Sequence, residues 1–345
     1  MIHEETSPLR SLETAGDAPV RPVAAAAGRP RLWWVGTVGA LFLGGVLLVA
    51  VWAKMLDPLA FAEQIRQEKL DFLLSAEAVA LIALALEAGL GLARVLNLRR
   101  LWVLIPTTLL VAFFLFLTGR TYWLDSQGLL DSAASCGCFG NLVQRTPAEA
   151  FWQDLAMLLP PLLLSFMGLD RRARRFPPVR TAAVAVAGLG VMAFAWKAPE
   201  LPLDDLATRL RPGVAVTGIC AGGDEGSVCL DQVASGIEEG EHLVILADLE
   251  DAAFTSEIDD LNTWAGNPQN PRLWVLSASE DTVHRAFFWQ WGPSFEVVET
   301  PAELMRPLYR RLPRSFMVKD GRVTQTFPGM PPLTTPANPQ PSAGS

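Results

Sequence analysis

The sequence predicts a mainly α-helical membrane bundle followed by a smaller α/β domain. Three observations carry this reading. Half of the residues are apolar and the mean hydropathy is +0.27, yet the chain holds 28 basic and 36 acidic side chains. Charge and apolarity must therefore be segregated along it. Apolar runs of about 20 residues, the length that spans a bilayer core, recur only between residues 32 and 196. Beyond Trp196 the composition becomes that of a soluble chain, with β-rich runs alternating with helical patterns.

Residues 1–30 are rich in Ala, Pro, Ser and Thr and read as a disordered cytoplasmic leader. The first span, residues 32–53, ends in Lys54-Met55-Leu56-Asp57-Pro58 with no Ala-x-Ala cleavage pattern, so it is expected to be retained. Further spans are expected at 74–96, 101–117, 151–169 and 181–196; the fourth of the five carries Asp154 and Pro160-Pro161. Basic residues collect on the cytoplasmic side of span ends. Arg21, Arg29 and Arg31 precede span one, Arg94, Arg99 and Arg100 lie between spans two and three, and Arg171 to Arg180 link spans four and five. Five spans with the amino terminus inside put all of these in the cytoplasm. Everything after Lys197 then faces outward, as does the loop between spans three and four. An even span count would place the last arginine run outside.

That outward loop holds the sharpest motif, Ser135-Cys136-Gly137-Cys138-Phe139-Gly140. Two of the four cysteines stand one glycine apart. A disulfide between them would close a very small ring, and strained disulfides are the more easily reduced. Gly137 has the backbone freedom such closure needs. Cys136 and Cys138 are thus the candidate catalytic pair for thiol–disulfide exchange. Cys220 and Cys229 fall on the same side, in the compartment where disulfides persist. Two thiols could also hold a soft metal such as Cu(I), but no Met or His cluster accompanies them. The three histidines lie outside the spans, so no metal site is expected.

Two charged residues are candidates for supporting roles. Glu87 sits midway along span two, where a carboxylate costs about 2.5–3.5 kcal/mol to insert and usually has a partner. It reads either as a proton acceptor or quinone contact, or as a structural glutamate bonded to a neighbouring helix. Gly89 and Gly91 beside it permit close helix approach. Arg120, just beyond span three, could stabilise a thiolate or be an ordinary interfacial arginine.

In the soluble part, strands are expected at 242–248, 272–277, 295–298, 315–319 and 322–327, with helices at 252–265, 281–291 and 302–312. Strands alternating with helices and closing on a hairpin make an α/β layer. Segments 214–219 and 228–233 read as a hairpin whose glycine-rich turn is flanked by Cys220 and Cys229. These two form a structural staple, a relay with Cys136/Cys138, or unpaired thiols. The element order resembles the thioredoxin fold, which implies a cis proline before the last hairpin, here Pro313. In that fold a Cys-x-x-Cys opens the helix after the first central strand. Here the place reads Ala247-Asp248-Leu249-Glu250-Asp251-Ala252-Ala253-Phe254, without cysteine.

Residues 32–170 resemble the MauE/DoxX-like redox-associated membrane proteins. The carriers are Lys54, Asp57-Pro58, Phe61-Ala62 and Ile65; Leu86-Glu87, Gly89 and Gly91-Leu92; and Cys136-Gly137-Cys138-Phe139-Gly140. The resemblance implies a four-helix module similar in plan to vitamin K epoxide reductase bundles. It also implies a role near methylamine dehydrogenase maturation, where a secreted subunit rich in disulfides must be made. The expected organisation is a leader (1–30), a four-helix MauE-like domain (31–170), an arginine-rich loop with a fifth membrane helix (171–198), a thioredoxin-like extracytoplasmic domain (199–330) and a disordered tail (331–345). The expected function is thiol–disulfide exchange at the plasma membrane. Its partners are the bilayer and a periplasmic or secreted client with thiols, and quinone is the candidate electron acceptor. The alternative is a non-catalytic assembly factor that holds a client; a transporter ranks last, for want of intramembrane polar groups. A net charge of −8 gives no sign of nucleic-acid binding.

Overall fold

Among the described residues, four helices are long and apolar enough to cross a membrane. They are α1 (Arg31–Leu56), α3 (Ala76–Val95), α4 (Leu101–Ser126) and α6 (Pro178–Lys197). The computed structural model describes residues 31–129, 145–167, 178–221 and 227–333. The leader, the Cys136–Cys138 motif, most of the arginine-rich link and nearly all of the tail lie outside these residues.

The remaining expected span is a helix of similar length, α5 (Pro147–Phe166), but Glu149, Gln153, Asp154 and its two prolines dilute its apolar run. It still packs inside the bundle, where Leu158 and Leu162 meet Leu43 and Leu47 of α1 and Leu104 and Val111 of α4. Neighbouring helices run antiparallel and approach through glycine. A Cβ on Gly44 of α1 would stand 2.7 Å from the Gly91 carbonyl oxygen of α3, and one on Gly39 would stand 2.7 Å from Leu164 Cβ of α5. Small residues at such crossings let dispersion contacts, rather than hydrophobicity, hold helices together in lipid.

A short helix, α2 (Pro58–Gln67), follows α1 directly. Asp57 caps it, accepting the Ala60 amide at 3.1 Å, and Pro58 occupies the first turn where its missing N–H costs nothing. Ala62 and Ile65 are buried against Ala76 and Ala80 of α3.

The soluble part is built on a five-stranded sheet, ordered β5-β4-β3-β6-β7. The strands are β3 (Glu241–Leu246), β4 (Arg272–Ser277), β5 (Glu296–Glu299), β6 (Arg314–Lys319) and β7 (Arg322–Phe327). β3, β4 and β5 are parallel; β6 runs antiparallel to β3 and pairs with β7 as the closing hairpin. The Leu312–Pro313 bond directly before β6 is cis. This is the thioredoxin-like arrangement. Alternation along the central strand feeds two cores. Val244 and Leu246 face one side with Trp274, Leu276 and Phe316, while Leu243 and Ile245 face the other with Phe254, Ile258 and Phe287.

Three local expectations are corrected. The helix expected over 252–265 is two, Ala252–Thr255 and Ile258–Ala265, which seat Phe254 and Ile258 in one core. The helix expected over 302–312 is one turn, Ala302–Met305, then a 3-10 turn, Arg306–Leu308, because Pro307 cannot continue the ladder. The 214–219 strand does not form as such. Its backbone is drawn to the edge of β7, Gly213 donating to the Val323 carbonyl at 2.7 Å and Val323 to that of Val214 at 2.9 Å. What remains of the hairpin is β1 (Cys220–Ala221) against β2 (Val228–Cys229).

Candidate functional site

The antiparallel order gives the bundle two unlike ends. At one, Arg99 donates to the Trp33 carbonyl at 3.0 Å and Arg180 to the Leu96 carbonyl at 3.2 Å. This end joins the start of α1, the α3–α4 link and the start of α6. The other end carries α2, the last turn of α4, the first turn of α5 and the soluble domain. Leu129 and Arg145, the described residues flanking the Cys136–Cys138 segment, both belong to it. The Arg145 side chain is buried and pairs with Asp154 of α5 at 3.2 Å, so the aspartate in the fourth apolar run has its partner at the end of that loop.

Arg310 ties the soluble domain to this end. Arg310 is buried, donating to the Ala198 carbonyl at 2.7 Å and to the Leu201 carbonyl at 3.1 Å, just past α6. The segment before the cis proline thereby faces α2 across a polar cleft of about 210 Å³, lined by Asp57, Glu63, Arg66, Arg306, Tyr309 and Arg310. Burial pushes the Asp57 carboxyl above its ordinary value of 3.8, against the Ala60 amide and the guanidiniums of Arg310 and Arg306, which favour the charged form. A group that holds its proton more tightly when folded makes stability fall as pH rises from that ordinary value through the folded one. The gap in thermal stability between wild type and Asp57→Asn, which keeps a capping side chain, is expected to move against the wild type over that interval. Parallel pH profiles for the two proteins would overturn this.

Below this surface, Lys54 of α1 and Glu87 of α3 form an ion pair of 2.7 Å, with side chains 3% and 0% exposed. Lys54 Nζ also lies 4.9 Å and 4.7 Å from the ring centres of Phe61 and Phe114, a cation–π setting. Glu87 thus bonds to a neighbouring helix, one of the two arrangements weighed from sequence. Its second oxygen, Oε2, has no hydrogen-bond partner among the described residues. Lys54 was not singled out as its partner, because it lies near the end of α1 and Glu87 well inside α3. Only the inter-helix stagger brings them level. Lys54 also lines a cavity of about 310 Å³ between α2, α3 and α4.

Arg120 pairs at 2.6 Å with Glu68, the residue that follows α2. Cys220 and Cys229 face each other across the β1–β2 pair and are joined as a disulfide. At the place where thioredoxins open their first helix, Asp251 caps the helix by accepting the Ala253 amide at 3.0 Å. An anion at a helix start suits the dipole, so that helix needs no thiolate. Among the described residues no cluster of His, Cys, Asp or Glu could hold a metal. Cys136 and Cys138 lie outside the described residues.

Residues 32–168 match the family model described as Methylamine utilisation protein MauE. No curated protein matches the chain. One solved structure, from Chlorobium tepidum and described as a "putative Thiol:disulfide interchange protein DsbE", is 16% identical, with a TM-score of 0.30, over 36% of this chain and 89% of that one.

Proposed function

We propose that this chain, with its MauE-type membrane module and thioredoxin-like domain, is a multi-pass protein of the bacterial inner membrane that supports disulfide formation in extracytoplasmic clients. Cys136 and Cys138 are its exchanging pair. The observation that carries this is the shared bundle end. Leu129 and Arg145, which flank the cysteine segment, stand at the end to which Arg310 fastens the soluble domain. The arginine-rich end is the opposite one, and the positive-inside rule makes it cytoplasmic. Thiols and soluble domain then share the oxidising side.

The chemistry is exchange. A client thiolate attacks the Cys136–Cys138 disulfide, a mixed disulfide forms, and the client's second thiol displaces it. The client leaves oxidised and the pair reduced. The soluble domain, which has no Cys-x-x-Cys at residues 247–254, holds the client while its own Cys220–Cys229 disulfide joins β1 to β2. The setting proposed is methylamine dehydrogenase-type maturation, with a disulfide-rich secreted subunit as client; the matched family's description, a methylamine utilisation protein, is consistent with it. Alkylation trapping in cells is expected to show Cys136 and Cys138 shifting between thiol and disulfide with growth condition, and Cys136→Ser to abolish the shift and slow client oxidation. A pair that stays inert in every condition would sink the reading.

A second reading is favoured by the missing cysteines at residues 247–254. The protein would then be an assembly factor that holds its client without exchanging thiols. Client maturation surviving the Cys136→Ser/Cys138→Ser change would select it.

A further inference from the structure

Among the described residues of the soluble domain, the exposed aromatic side chains all stand on one helix, Asp281–Trp291. Phe288 and Trp289 are 58% and 85% exposed, and Trp291 is exposed beside them. A cavity of about 230 Å³ adjoins them, walled by Phe287, Phe288 and Trp289 of the helix and by Pro293 and Val297 beyond it. His284 and Arg285 supply its polar lining. Arg285 is held by Asp281 at 3.0 Å, whereas His284 Nε2 is buried with no hydrogen-bond partner among the described residues.

Val297 sets this cavity against an open sheet edge. β5 is the last strand of its sheet, with β4 on one side and no strand on the other among the described residues. Thr300 donates its N–H to the Ser277 carbonyl of β4 at 2.8 Å. By the alternation of a parallel ladder, the N–H and C=O groups of Val297 and Glu299 then point off the edge. The Val297 side chain packs with the Phe287 core, and Glu299, two residues on, presents the same face of the sheet.

Lipid, a second copy and a client segment are the candidate occupants. Phe287 roots the helix in one core of the sheet, while Leu210 and Leu308, close in sequence to the Arg310 contacts, lie in the other. The patch is therefore on the sheet face away from the tie to the bundle, and lipid is not what covers it. Pairing β5 with its own copy would crowd Glu296 and Glu299 of both chains into one short ribbon, which like charge disfavours. A segment of opposite charge fits. Arg272 holds Glu296, while Glu280 and Glu299, at the same end of the parallel strands, make no ion pair among the described residues.

We infer that this edge takes an extended segment of the client as an added strand, with a Trp or Tyr in the cavity and a Lys or Arg two residues away facing Glu299. Main-chain hydrogen bonds to an edge supply affinity and alternate side chains supply choice. The cavity is smaller than the usual small-molecule pocket of about 300–1,000 Å³ and suits one ring. Phe288 and Trp289 offer that ring aromatic contact, and its N–H or O–H goes to His284 Nε2. The inference deepens the client-holding step of the proposed function and rests on that reading only for calling the segment a client's. No thiol takes part in the binding.

The test titrates the full chain in lipid nanodiscs against a dye-labelled peptide, Ser-Thr-Lys-Val-Trp-Val-Lys-Thr-Ser, read by anisotropy. The peptide is symmetric about its Trp, so it fits in either strand direction. Phe288→Ser/Trp289→Ser, two exposed positions outside the core, is expected to weaken binding at least about tenfold, as truncating aromatic anchors does. Glu299→Lys is expected to reverse the choice, favouring the peptide with both lysines changed to glutamate. A merely distorted edge would lose both peptides instead, without a swap, and would count against the assigned contact. Equal binding of the two peptides by the wild type, or binding indifferent to Phe288→Ser/Trp289→Ser, would overturn the inference. So would concentration-dependent dimers in place of peptide binding, which would make the face a self-association surface. Peptide binding lost in the double variant while its client matures normally in cells would leave the docking edge standing and fail the client-holding reading alone.

Discussion

Lys54→Met is expected to destabilise the membrane bundle by about 3–5 kcal/mol, the cost of leaving one member of a buried ion pair without its partner. Glu87 is fully buried and its Oε2 already lacks a partner among the described residues, so no spare donor stands ready to replace Lys54. The cation–π contacts to Phe61 and Phe114 go with the ammonium. Changing both residues, as in Lys54→Met/Glu87→Leu, is expected to restore most of the loss, since well-packed hydrophobic replacements of buried pairs are often neutral. Thermal unfolding of the detergent-solubilised protein measures both. Should the double variant be as weak as the single one, the pair would be contributing shape rather than charge compensation.

Arg310→Ala is expected to release the soluble domain from the bundle while leaving the sheet folded. Two carbonyls, of Ala198 and Leu201, lose a charged donor at once. Each such bond is worth about 1.5–3 kcal/mol, and a buried acceptor left unpaired costs about 1–3 kcal/mol. Arg310 lies outside the strands, and the neighbouring buried Arg314 keeps its own bonds to Thr208 Oγ1 at 2.6 Å and the Leu308 carbonyl at 2.7 Å. Limited proteolysis is the readout. Cleavage between residues 198 and 210 is expected to accelerate strongly, with the 241–327 core still resistant. Unchanged cleavage would mean that other contacts hold the domain in place. Under the exchange reading, client oxidation by the variant is expected to slow, because a released domain no longer presents its client to the thiol pair.

Much of the fold was legible because its signals are local. Apolar length marks a membrane helix whatever its neighbours, and α1, α3, α4 and α6 follow from it. Strands 272–277 and 322–327 and helix 281–291 match the sequence pattern residue for residue, since period-2 and period-3.6 patterns are written within one element. The misses arose where a distant partner outbid local preference. The 214–219 segment carries β-rich residues, yet its hydrogen bonds are taken by β7, a hundred residues on. One miss is local: helix 302–312 stops early because Pro307 has no N–H to continue the ladder.

The candidate site divides the same way. Composition alone put two thiols in a glycine-hinged motif between apolar spans, made Glu87 a residue in search of a partner, and denied the thioredoxin-like domain its usual cysteines. Chain order and hydrophobic run length carry that information, and neither needs a neighbour. Which charges meet was settled by three-dimensional packing. Lys54 meets Glu87 across two helices whose stagger depends on glycine crossings, Arg145 reaches Asp154 from the segment entering α5, and Arg310 reaches two carbonyls past α6 from the segment before β6. Coulomb attraction and hydrogen bonding act over a few ångströms, so they are blind to sequence distance and answer only to the folded geometry.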